Sequence, residues 1–130
     1  HHLYIVSDSQ YALNVKKSLQ KKFGEEVFLT VFHDAESSLE GLRKSMDKPH
    51  LVLLDYEQNK KMPGKDQEYV VNIMQNINPD TKIIILADEK NREAGARVLA
   101  HGAHGFVIKD QFALEHINAV VEKCFHPALM

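Results

Sequence analysis

Leu51-Val-Leu-Leu-Asp55 is a run of four apolar residues that ends in a carboxylate. It does not alternate, which predicts a strand buried on both faces. Such a strand delivers its last residue to the carboxyl edge of a parallel sheet, the edge where open α/β sheets bind ligands. Asp55 is there a reacting or metal-binding carboxylate; the alternative is a loop or helix-capping Asp just past a core strand. Residues 3–7, Leu-Tyr-Ile-Val-Ser, are a β-branched and aromatic run suited to a first strand with Asp8 behind it, and residues 105–108 a short strand with Lys109 behind it. Two carboxylates suit a hard cation such as Mg²⁺, which keeps several waters and needs few protein oxygens. A carboxylate can also attack a phosphoryl group and form an aspartyl-phosphate. An ammonium beside it would pair with the phosphoryl charge. Such a set would perform phosphoryl transfer by positioning and charge neutralisation.

The elements between these runs decide whether they meet. Ala12, Val15, Leu19 and Phe23 lie on one face of a helix over residues 10–23, with Gly24 where a C-terminal cap is expected. A second strand covers residues 27–32. Asp34 caps a helix carrying Ala35, Leu39, Leu42 and Met46 on one stripe, and Lys48-Pro49 breaks it. After Asp55 comes a polar loop, residues 56–66, then a helix with Val70, Val71, Met74 and Ile77. Residues 82–87 make a fourth strand and residues 91–101 a weaker helix. The short fifth strand, 105–108, precedes a last helix with Leu114, Ile117, Val121 and Cys124 on one face.

Five strands alternating with five helices predict a parallel sheet covered on both faces. Right-handed crossovers leave few topologies, and the flavodoxin-like order 2-1-3-4-5 is the common one. In that order strands 1 and 3 are neighbours, so Asp8 and Asp55 converge on one crevice and Lys109 approaches from strand 5.

The 130 residues suit one domain, taken as residues 3–126, with His1 and His2 set aside as the remnant of a tag. A net charge of −2 makes no electrostatic case for nucleic acid or an anionic membrane. The single cysteine, Cys124, forms no internal disulfide and no thiolate zinc site, which favours a reducing, cytoplasmic setting; it reads as a small buried hydrophobe. No apolar run approaches the roughly 20 residues that span a bilayer. His33, His50, His116 and His126 read as surface residues. His101 and His104 straddle Gly102, which argues against a shared helical metal site.

Four landmarks in order resemble the receiver (CheY-like) domain of bacterial two-component response regulators over essentially the whole chain. They are Ile5-Val6-Ser7-Asp8, Leu51-Val-Leu-Leu-Asp55, Met62-Pro63-Gly64-Lys65-Asp66 and Gly102-Ala103-His104-Gly105-Phe106-Val107-Ile108-Lys109. The resemblance implies that Asp55 accepts a phosphoryl group from a histidine kinase or phosphotransfer protein. It implies Mg²⁺ held by Asp8, Asp55 and the Glu57 backbone carbonyl. Lys109 would contact the phosphoryl group, and Phe106 would report phosphorylation through its rotamer. A homodimer through helix 4, strand 5 and helix 5 is a further family expectation.

The chain departs from the family pattern at named positions. Ser7 stands where the first of two acids is usual, and Ala87 where Ser or Thr closes strand 4. A hydroxyl there would have given the phosphoryl group a charged hydrogen bond of about 1.5–3 kcal/mol. Asp110 follows Lys109 in place of Pro. Met62 lies seven residues after Asp55 rather than the usual three, so about four extra residues flank the site. Among them, Asn59, Lys60 and Lys61 read as a solvated loop tip, and the Glu57 side chain is a candidate to return the charge lost at Ser7. These departures keep open an alternative, a pseudo-receiver that works as a protein interaction module without phosphate. A flavin-binding reading is weaker, because the loop after strand 1 lacks a Ser/Thr/Gly-rich phosphate cradle. Plainer roles stand beside the functional ones: Asp8 as a helix N-cap, Lys109 as a counter-ion, Phe106 as core.

Overall fold

A computed structural model describes residues 1–56 and 67–126. Five parallel strands, β1 (His2–Val6), β2 (Phe28–Phe32), β3 (Leu51–Asp55), β4 (Lys82–Ala87) and β5 (Gly105–Ile108), form one sheet in the order β2-β1-β3-β4-β5. The expected order is therefore the observed one. The described helices are α1 (Ser9–Phe23), α2 (Ala35–Lys44), α3 (Gln67–Ile77), α4 (Arg92–Ala100) and α5 (Ala113–Phe125).

Strand alternation sorts the core into two layers. Leu3, Ile5, Leu51, Leu53, Ile84, Leu86 and Val107 pack against α1 and α5. Tyr4, Val6, Val52, Leu54, Ile83 and Ile85 pack against α2, α3 and α4. Every residue of β3 is buried, as a central parallel strand covered on both faces requires. Each fully buried Leu or Ile contributes about 1.5–3 kcal/mol relative to its exposed state, so the four apolar residues of β3 fix the position of Asp55 at its end. The expected α1 stripe, Ala12, Val15, Leu19 and Phe23, is buried, and Gly24 caps the helix at φ 56.

Two stripes differ from expectation. α2 stops at Lys44, and Met46 is fully exposed rather than on its buried face. Ser45 is already extended, and the Lys48 ammonium donates to the Leu42 carbonyl, satisfying an open helix end with a cation. In α5 the buried positions are Ala113, Ile117, Val121 and Phe125, while Leu114 and Cys124 flank that stripe half-buried. The stripe turns because Phe125 stacks on His1 and packs edge-on to Phe23. β1 begins at His2, and the His1 carbonyl accepts from the Phe28 N–H.

Candidate functional site

Parallel register carries the site. Leu3 to Val6 pair with Leu51 to Leu54, so the next residues, Ser7 and Asp55, face each other at the carboxyl edge. Ser7 Oγ donates to Asp55 Oδ2 at 2.8 Å. β4 pairs Asp55 with Leu86, and Ala87 with Ile108 of β5, which places Lys109 one step beyond the same edge. Lys109 Nζ donates to that same Asp55 Oδ2 at 2.7 Å. Asp55 is fully buried, and the Lys109 side chain is 10% exposed. A buried carboxylate persists when paired and hydrogen-bonded; Ser7 supplies one of those needs and Lys109 both.

Asp8, the second expected carboxylate, is exposed at the start of α1. Its Oδ1 accepts from the Tyr11 N–H at 2.9 Å, so it caps the helix. Capping and a place at the acidic edge are compatible, because a carboxylate has two oxygens and about four lone-pair sites. Asp8 and Asp55 therefore reach one edge from adjacent strands. That donor set fits an oxygen-seeking cation that keeps its waters. Among the described residues no three of His, Cys, Asp and Glu are grouped to hold a metal. The Glu57 carbonyl and side chain, the loop residues Asn59 to Lys61, and the landmark 62–66 lie outside the described residues.

Three neighbours were not singled out from the sequence. Tyr11 lies on α1 with the Lys109 ammonium 4.7 Å from its ring centroid, a cation–π contact. Its hydroxyl is buried and has no hydrogen-bond partner among the described residues. Burial, then the charges of Asp55, Asp110 and Asp88, push its pKa up to about 12. Asp88, one residue past Ala87, has Oδ1 3.8 Å from Lys109 Nζ. His33 Nδ1 lies 3.0 Å from the Ser7 carbonyl oxygen. Asp88 was open to the reasoning that found Asp8 and Asp55, because it too comes after a buried strand. Tyr11 had no such signal, since an aromatic beside a helical stripe is ordinary core.

Ala87 and Phe106 fall on the same side of the sheet, because Ile85 pairs with Phe106. The Phe106 ring lies against Gly95 of α4 so closely that any Cβ there would overlap it. Phe106 is half-buried in the layer of α2, α3 and α4.

The chain is similar in structure to NtrX from Brucella abortus, with TM-score 0.78 and 20% identity over 98% of this chain and 27% of that one. Against the response regulator DrrB, a Thermotoga maritima OmpR/PhoB homolog, the TM-score is 0.74 and the identity 21%, over 98% and 53%. Against the phosphorylated cyanobacterial phytochrome response regulator RcpA they are 0.79 and 14%, over 97% and 94%. The chain thus spans about a quarter of NtrX and half of DrrB, and it covers 98% of the NtrX receiver domain solved alone. The fold is that of a response-regulator receiver domain. No family model and no curated protein matches the sequence.

Proposed function

We propose that the chain is a signalling receiver whose Asp55 accepts a phosphoryl group from a histidine kinase or phosphotransfer protein. The observation that supports this most is the Asp55 carboxylate, fully buried at the end of β3 yet held at the functional edge by Ser7 and Lys109. An Asp55 oxygen attacks phosphorus; the new P–O bond forms as the donor's P–N bond breaks, and the imidazole nitrogen leaves with the electron pair and takes a proton. Lys109 meets the incoming charge with an ammonium already held at the carboxylate. Ser7 holds the carboxylate in place. Mg²⁺, held by Asp8, Asp55 and the Glu57 carbonyl, would supply charge neutralisation for the transferring group. A cytoplasmic setting and contacts through α4, β5 and α5 belong to this reading; no described helix is long and apolar enough to cross a membrane.

A second reading, a phosphate-independent interaction module, draws on the same atoms. Asp55 already has a hydroxyl and an ammonium on one oxygen, and Ala87 offers no hydroxyl to an anion. Intact mass after incubation with Mg²⁺ and a small-molecule phosphoryl donor separates the two. A single phosphoryl adduct, absent from Asp55→Asn, is expected. Its absence, with product trapping in place, would leave the interaction module.

A further inference from the structure

Lys109 answers to two carboxylates. Its Nζ is 2.7 Å from Asp55 Oδ2 and 3.8 Å from Asp88 Oδ1, with the Tyr11 ring closing a third side. Asp88 has a second cation on its other oxygen: Lys90 Nζ lies 4.0 Å from Oδ2 and is 75% exposed. Asp88 itself is 33% exposed, so its carboxylate can rotate towards water at little desolvation cost.

We propose that Asp88 is a positioning residue that competes, for the Lys109 ammonium, with an anion carried on Asp55. The inference rests on the phosphoryl-acceptor reading. Before phosphorylation two carboxylates share one interior ammonium. A phosphoryl group adds negative charge at Asp55 and claims that ammonium, so Asp88 then faces like charge across it. Asp88 is then driven outwards towards Lys90.

That movement has a lever attached. Asp88 joins Ala87 of β4 to a short 3-10 turn, Glu89–Asn91, and its carbonyl accepts from the Asn91 N–H. α4 comes directly after this turn and carries Gly95, on which the Phe106 ring rests. Ala87 cannot draw this connection inward with a hydroxyl, so the connection moves by repulsion of its own carboxylate. The same competition weakens anion binding at Asp55 as long as Asp88 carries its charge.

Beryllofluoride, which mimics a phosphoryl group on a carboxylate, tests this in the presence of Mg²⁺ by ¹⁹F NMR titration. Wild type, Asp88→Asn, Asp88→Glu and Asp55→Asn are compared, with thermal midpoints recorded without ligand. Asp88→Asn is expected to bind about five-fold tighter or more, with Asp88→Glu within about two-fold of wild type. The amide resonances of residues 88–92 should shift on loading wild type and much less in Asp88→Asn. Equal or weaker binding by Asp88→Asn would overturn the competition and leave the acceptor role of Asp55 standing. Binding by neither wild type nor Asp88→Asn would overturn both. Binding by Asp88→Asn alone would support the competition in its strongest form.

Discussion

Ser7 and Lys109 converge on a single atom: both donate to Asp55 Oδ2, at 2.8 Å and 2.7 Å. The hydroxyl comes from the end of β1 and the ammonium from the end of β5, so two strands on opposite sides of β3 are tied to one buried carboxylate. Removing the ammonium takes away the cation that Asp55 is paired with while the Ser7 hydrogen bond stays. Lys109→Met is expected to cost about 3–5 kcal/mol, and adding Asp55→Asn should recover part of it. Urea unfolding of the two single variants and the double variant measures the coupling; additive losses would mean that the pair is not coupled in solution.

Ser7 separates stability from charge. Ser7→Ala deletes a hydrogen bond to a charged group and should cost about 1.5–3 kcal/mol. Ser7→Asp places a second carboxylate against Asp55 and should lower the thermal midpoint in chelator while raising it on addition of Mg²⁺. Melting curves with and without Mg²⁺ read both effects. A Ser7→Asp midpoint insensitive to Mg²⁺ would argue against a cation site at this edge.

Tyr11 has a pH signature. Its folded pKa is raised from 10.0 to about 12, chiefly by burial and then by Asp55, Asp110 and Asp88. The stability from keeping the phenol neutral is present in full below the unfolded value of 10. It is lost as pH rises through about 12, because the unfolded chain ionises first. Absorbance at the phenolate band should show a late-titrating phenol in wild type that is missing from Tyr11→Phe. The unfolding free energy of Tyr11→Phe should fall less steeply over the same window. Near neutral pH, Tyr11→Phe should match or exceed wild-type stability, since it deletes a buried hydroxyl with no described partner and keeps the ring over Lys109.

Gly95 sets the position of Phe106. A methyl at residue 95 would overlap the ring, so Gly95→Ala must displace Phe106 or shift α4. The gain in helix propensity, about 1 kcal/mol, opposes an overpacking cost of about 1–3 kcal/mol. A net loss of up to about 2 kcal/mol is expected, with large changes in the Phe106 ring resonances. Unchanged ring shifts would mean that the ring does not rest there in solution.

Much of this was decided by local patterns. The non-alternating run at residues 51–54 reads as a strand buried on both faces because it leaves no polar position, and residues 82–87 read as a fourth strand. Alternation of five strands with five helices, under right-handed crossovers, left few topologies, and the common one, β2-β1-β3-β4-β5, brings Asp8, Asp55 and Lys109 to one edge. Lys48-Pro49 marked the break after α2 but not that the helix stops before Met46, and nothing local showed His1 and Phe23 drawing Phe125 into the α5 stripe. The same holds inside the site. Residue types placed Lys109 at the edge, but only the packed structure could assign it to Asp55 and Asp88 together, set the Tyr11 ring beneath it and lay Phe106 on Gly95. Those contacts join residues far apart in the chain, and their distances are set by helix packing and sheet register that no local pattern encodes.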